Sequence, residues 1–375
     1  MAHIIVCGYM IRHPVAGNIL AYFHYILGLD RLGYEVIYLE ESGWDYSCYH
    51  LLTQAYSDDP SFGLQAVEAL FNQYHVKAQI CYINRQTGQV YGNDWDTVKQ
   101  QLKTADLLLN IGGVCWLSEF LLCQRRVLID MDPFFTQIGK FAGEGFSDYH
   151  LYFSYGMNIG QSDCTIPTAN VDWLPIVPPV VPEIWNNSQQ TGTILTTIGN
   201  WSAYGSVVYN NNRYGQKDEE FLRFLELPQL CSQKIEVALS GKNIEIAEIK
   251  PRLQAAGWFV ENGLEVSANL STYQSYIINS RGEFSVAKNA YVKTRSGWFS
   301  DRSVCYLAAG KPVILQDTGF SDWLPTGCGV LAFSTLAEAV DCIESLNADY
   351  SAHCRAAQQI AEDFFSYKVV LSRFL

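Results

Sequence analysis

Between Gly282 and Gly319 the chain reads GEFSVAKNAYVKTRSGWFSDRSVCYLAAGKPVILQDTG, gathering cations, hydroxyls and glycine at one predicted strand-to-helix junction. Residues 284–287 read as a strand. It feeds a loop holding Lys288, Lys293 and Arg295, then Ser296, Gly297, Trp298, Phe299 and Ser300. A helix is predicted from Asp301, with Ser300 as its cap. Gly297 lets backbone approach a ligand closely, and the first amides of a helix favour an anion. Basic side chains converging there, with Asp301 and Arg302 at the helix start, suit a diphosphate, whose charge must be stabilised when a sugar leaves it. The alternative is an ordinary capped helix with solvated Lys and Arg beside it. The loop's place at a strand's carboxyl end favours the anion site.

The run YLAAGKPVILQDTG is similar to the helix–glycine–strand signature ExxAxGxPVI of GT-B glycosyltransferases, above all the group-1, family 4-like set. The longer stretch resembles a poorly characterised bacterial subfamily of that class. In motif the likeness covers residues 282–317 and a few shorter pieces; in architecture it covers most of the chain. It implies a GT-B fold, with the nucleotide held mainly by the C-terminal domain and the acceptor mainly by the N-terminal one. The common pattern begins the signature with a glutamate at the ribose and has another acidic residue eight positions earlier. Those positions are Cys305 and Gly297 here, and Asp301, one turn earlier, is the expected substitute. The resemblance also implies that Gly199, Asn200 and Trp201, at the end of a strand over 193–198, form a glycine turn at the donor. Arg213 and Lys217 resemble the basic residues that such enzymes aim at the diphosphate. Lys217 reads equally as a solvated first-turn residue ahead of Asp218-Glu219-Glu220.

The N-terminal loop offers Arg12, His13, Gly17 and Asn18. Gly17 resembles the glycine of the first GT-B loop, under the donor phosphates or the acceptor. His13 is a candidate general base for an acceptor hydroxyl, because an ordinary imidazole titrates near neutrality; a surface or capping histidine is the alternative. Asp130-Met131-Asp132-Pro133 ends a predicted strand. Two carboxylates so spaced can hold a divalent cation with a diphosphate. The two-domain α/β pattern favours a structural or acceptor-side role for Asp132 and no metal.

The elements that must position these groups alternate strand and helix. Residues 3–7, 18–32 and 35–39 form a βαβ unit, and further strands are predicted at 77–82, 105–111 and 126–130, with helices at 95–103 and 116–123. Four prolines within 171–185 make a semi-rigid connector. A second α/β series follows from Gly192. The expectation is an α/β fold of two Rossmann-like parallel-sheet domains facing a cleft: 1–186 on the acceptor side and 187–355 on the donor side. A C-terminal helix, 356–375, packs back toward the first domain.

Composition narrows the function. The chain has 25 Lys and Arg against 38 Asp and Glu, a net charge of −13, which opposes broad phosphate-backbone binding and predicts no nucleic-acid partner. Eleven scattered cysteines show no zinc-ligand spacing and read as reduced and buried. The N-terminal segment lacks the leader pattern and no long uncharged run occurs, so no membrane span and a cytoplasmic location are expected. P-loop, GxGxxG and GxSxG motifs are absent. The expected activity is sugar transfer from a nucleotide-diphosphate sugar, UDP being favoured on frequency alone, to an unidentified acceptor, with no cofactor. The alternatives are a nucleotide-sugar epimerase or hydrolase, or a binding protein without turnover.

Overall fold

The computed structural model describes residues 2–139, 146–185 and 192–375. Its strands are the chain's short apolar runs. Those flanked on both sides are buried along nearly their whole length, as helices covering both faces of a parallel sheet require.

The chain divides into two compact units. The first gathers the chain up to Gly156 with Thr168–Pro179 and Tyr367–Leu375; the second gathers Met157–Pro167 and Val180–Ser366. The chain therefore crosses between units several times. The expected boundary at residue 186 falls outside the described residues.

In the first unit the sheet strands are β1 (His3–Cys7), β2 (Glu35–Glu41), β5 (Gln79–Ile83), β6 (Val90–Gly92), β7 (Leu107–Ile111), β8 (Arg126–Asp130), β9 (Leu151–Ser154) and β10 (Trp173–Pro175). Their order is β10-β9-β8-β7-β1-β2-β5-β6, parallel except for β5 against β6. A hairpin of β3 (Cys48–His50) and β4 (Ala55–Ser57) lies outside this sheet, with Tyr49 opposite Tyr56. The helix Ala16–Arg31 packs on the terminal helix Tyr367–Leu371 through Gly28, where a Cβ would stand 2.8 Å from Tyr367.

In the second unit the sheet strands are β11 (Ile194–Asn200), β14 (Lys234–Ser240), β15 (Phe259–Asn262), β16 (Gly282–Ser285), β17 (Val313–Gln316) and β18 (Val330–Phe333), beside a hairpin of β12 (Val207–Tyr209) and β13 (Asn212–Tyr214). The order is β15-β14-β11-β16-β17-β18, all parallel. Strand order reverses between β11 and β16, the switch point at which open α/β sheets take ligands beyond their carboxyl ends. Phe284 and Phe333, stacked 5.0 Å apart, sit in the core beneath it.

Three local expectations change. Residues 116–123 form only a 3-10 turn, Ser118–Leu122. Just before it the backbone is held by other partners: Arg12 Nη2 donates to the Val114 carbonyl at 2.8 Å and the Trp116 N–H donates to Glu41. The loop after β16 contains a short helix, Asn289–Lys293. The C-terminal helix is divided into Tyr350–Ile360, a π turn at Ala361–Phe365 and Tyr367–Leu371.

All eleven cysteines are free thiols, six of them buried. Among the described residues no helix is long and apolar enough to cross a membrane.

Candidate functional site

At the switch point of the second unit, Arg302 in the first turn of the helix Asp301–Ala308 ties three elements together. Its Nη1 donates to the Ile198 carbonyl of β11 at 2.7 Å, its Nη2 to Ser285 Oγ of β16 at 2.8 Å, and its Nε to Glu283 at 2.5 Å. Glu283 is fully buried on β16 and its second oxygen has no partner among the described residues. Arg302, expected as a phosphate ligand, is therefore a strut beneath the site. Its charge remains there, but one donor on each of its three nitrogens is engaged by protein.

Beside it stands Lys217, the first residue of the helix Lys217–Arg223. Its half-buried ammonium has neither hydrogen bond nor ion pair with any described residue. Burial pushes its pKa well below the lysine range, and the nearby Arg302 pushes the same way, against Glu283 and Asp301. Gly199 leaves open the space next to it: a Cβ there would lie 3.9 Å from Nζ. The helix that carries Lys217 is held by Glu220, a buried carboxylate that accepts from Asn289 Nδ2 at 2.6 Å and Gln316 Nε2 at 2.5 Å and pairs with Arg223. Gln316 and Asn289 thus anchor the Lys217 helix to β17 and to the Asn289–Lys293 helix. A half-buried ammonium with no carboxylate in ion-pair contact is costly, and an anion at this point would relieve it.

Lys288 occupies the N-cap position of the Asn289–Lys293 helix, donates to Tyr204 Oη at 2.8 Å and lies 4.8 Å over that ring. Asp301 accepts the Arg302 N–H at 2.9 Å; burial raises its pKa, against the pull of Arg302 and Lys217. Lys217, Lys288, Asp301, Gly199 and the exposed Asn200 are thus the expected residues that the structure gathers at the strand ends.

Others are engaged elsewhere. Arg295, at φ +48°, forms ion pairs with Asp163 at 2.7 Å and Asp322 at 2.6 Å. Arg213 pairs with Glu219 and bonds Ser206 on the β12–β13 hairpin. Phe299 stacks on Phe365 in the core at 5.0 Å, and buried Trp201 packs on Phe221. Ser300 occupies the helix N-cap position, but its hydroxyl makes no cap bond. Gly297, at φ +72°, makes room for protein: a Cβ there would meet Asn158 Cγ at 2.7 Å. Asn158 in turn donates to the Arg295 and Gly319 carbonyls, and its own N–H to that of Ser296. Asn158, Glu283 and Gln316 are not among the residues expected from the sequence. A lone Asn and mid-strand polar residues carry no motif; their only signal was polarity inside apolar runs. The loop also walls a small pocket reaching Ser285, Trp298 and Ser303, where the Trp298 indole N–H and the Ser303 hydroxyl are buried without partners among the described residues.

In the first unit, Gly17 lies within the first turn of the helix Ala16–Arg31 rather than in the loop before it. Asn18 Nδ2 closes that loop onto itself, donating to the Tyr9 and His13 carbonyls at 2.6 and 2.8 Å. Arg12 is fully buried, pairs with Glu40 at 3.1 Å and lies under the rings of Tyr9 and Trp44. His13 is stacked between Tyr9 and Tyr49, and burial lowers its pKa to about 4, so the imidazole is neutral but a weak base. Asp130 is buried and spends both oxygens on Ser154, Thr136, Gln137 and the Asp132 N–H, which organises the turn around Asp132. Among the described residues no group of three or more His, Cys, Asp or Glu is placed to hold a metal ion.

No protein-family model and no curated protein sequence matches the chain. Solved structures do. An alpha-glucosyltransferase in complex with UDP superimposes with a TM-score of 0.59 at 10% identity over 100% of this chain and 98% of its own. HepE of Anabaena, in complex with UDP and glucose, matches at 0.59 and 10% over 100% and 98%. AviGT4, a glycosyltransferase involved in avilamycin A biosynthesis, matches at 0.57 and 12% over 100% and 96%. The chain has the fold of these enzymes, the GT-B fold expected from its sequence.

Proposed function

We propose that this GT-B-fold chain is a glycosyltransferase moving a sugar from a nucleotide-diphosphate donor, UDP-linked by preference, to an acceptor hydroxyl. The observation that carries the reading is Lys217: a desolvated ammonium without a partner among the described residues, at the sheet's switch point. A diphosphate is the anion that fits there, and its leaving charge is what a transferase must stabilise. Lys217 and Lys288 supply that charge, Arg302 adds to the field from below, and Asp301 takes a donor hydroxyl. UDP and UDP-glucose complexes among the structures of the same fold support the nucleotide. The acceptor side is assigned to the first unit near His13 and Asp132, with catalysis by positioning and leaving-group stabilisation. His13 serves there as a neutral ring more than as a base. Three of the matching structures are an alpha-glucosyltransferase in complex with DNA. For this chain a net charge of −13 argues against a nucleic-acid acceptor.

A second reading, donor binding without turnover, rests on the signature position held by Cys305. That thiol is buried and donates to the Asp301 carbonyl at 3.3 Å. The discriminating experiment incubates the protein with a panel of nucleotide sugars and mixed oligosaccharides and reads products by mass spectrometry. An added sugar mass on an acceptor is expected. Donor binding with neither UDP release nor a mass increment establishes the second reading instead.

A further inference from the structure

Six aromatic rings of the first unit follow one another in contact: Trp116, Trp44, Tyr9, His13, Tyr49 and Tyr56, with successive centroids 5.0–6.3 Å apart. None belongs to the apolar core. Trp44 and Tyr56 are 46% and 56% exposed and the other four are partly exposed. Such a run on a surface calls for a ligand, because isolated exposed aromatics need no explanation but a contiguous series does.

The run is also held rigid from below. The Arg12 guanidinium sits 4.5 Å from the Tyr9 ring and 5.1 Å from that of Trp44, and is itself fixed by Glu40 and by the Ser42 and Val114 carbonyls. The Tyr49 N–H donates to the Arg12 carbonyl at 2.7 Å, which pins the β3–β4 hairpin to the same residue. Glu41 accepts the Trp116 N–H and pairs with Arg85. Gly43, at φ +71°, lets Trp116 and Arg12 close up, since a Cβ there would stand 2.5 Å from Arg12 Nη1 and 3.3 Å from Trp116. Three buried charges, Arg12, Glu40 and Glu41, thus fix the rings that a ligand would meet.

We infer that this run of rings is an elongated binding platform for a neutral saccharide chain, the acceptor of the proposed transfer. The inference rests on the sugar-transfer reading and names its acceptor class. Aromatic faces bind the apolar faces of pyranose rings and, equally, nucleobases; charge separates the two. Residues 43–59, which carry Trp44, Tyr49 and Tyr56, include Asp45, Asp58 and Asp59 and no Lys or Arg. The neighbouring cations Arg12 and Arg85 are already ion-paired. A phosphate backbone is repelled by such a rim, whereas carboxylates accept hydrogen bonds from sugar hydroxyls.

The test titrates the full chain, saturated with UDP, with maltohexaose, cellohexaose and chitohexaose and, separately, with an oligo-dT strand. Trp44→Ala and Tyr56→Ala are compared with wild type; both side chains are exposed, so each variant is expected to fold, and unliganded melting verifies it. At least one hexasaccharide is expected to bind, with about a tenfold loss of affinity in each variant. Binding of none of the three, or equal binding in both variants, overturns the platform. Oligo-dT binding that is lost in both variants overturns it in favour of nucleobases. A wild-type melting response to UDP without saccharide binding sinks the platform alone; absence of both sinks the donor reading with it.

Discussion

His13 and Lys217 are both ionisable groups that the fold has partly withdrawn from water, and they answer to pH in related ways. The folded His13 binds its proton only near pH 4, while the unfolded side chain binds it near 6.5. Between those values the unfolded chain holds more protons, so stability falls as pH drops from about 6.5 to about 4. Buried His24, lowered to about 3, adds to the same slope. His13→Phe keeps the stack between Tyr9 and Tyr49 and removes one of the two protons. Urea unfolding at pH 5 and pH 7 should show a smaller pH penalty in the variant than in wild type; an equal penalty would mean that His13 is not buried neutral. For Lys217 the depressed pKa has the same sign: the charged form weakens the fold, and stability rises with pH as the ammonium loses its proton. The depressed pKa marks a cost that a bound anion would offset, the pattern expected of a functional group.

At the scale of elements, the loop 296–300 and the helix after it behave as a braced corner. Gly297 is at φ +72° with Asn158 against it, Thr318 accepts its N–H through the carbonyl at 2.8 Å, and the Trp323 indole donates to its carbonyl at 3.0 Å. Gly297→Ala should cost about 1–3 kcal/mol from strain and the Asn158 clash together. The measurement is denaturant unfolding of the variant, and unchanged stability with weakened donor binding would restore the ligand-approach role expected from sequence.

Much of this level was readable from residues alone. The βαβ alternation, the apolar strands and the helix starting at Asp301 follow from periodicity and glycine placement. Which cations face the site did not. Arg295 and Arg213 look like phosphate ligands by type and position, yet Asp163, Asp322 and Glu219 claim them, two of these from distant sequence. The 116–123 segment reads as a helix because its competing partners, Arg12 and Glu41, lie far away along the chain.

Over the whole molecule, two parallel sheets each present a loop system beyond their strand ends, one built on cations and the other on aromatic rings. The first suits a diphosphate and the second a polyhydroxylated acceptor, which is the division of labour that sugar transfer needs. Fold alone would not choose a substrate. The proposed choice rests on Lys217, Lys288 and Asp301 in one unit and on the run from Trp116 to Tyr56 in the other.

The most direct test is thermal unfolding of wild type and Lys217→Met, each with and without saturating UDP. A ligand at 100 times its Kd stabilises the folded state by about 2.7 kcal/mol, and the loss of one charge-assisted contact removes about 1.5–3 kcal/mol of binding. UDP is expected to raise the wild-type melting temperature. Without ligand, Lys217→Met should melt at or about 2 °C above wild type, and the response to UDP should be largely gone. A variant that melts lower without ligand and still responds to UDP like wild type would contradict the assignment of Lys217 as the donor's counter-ion.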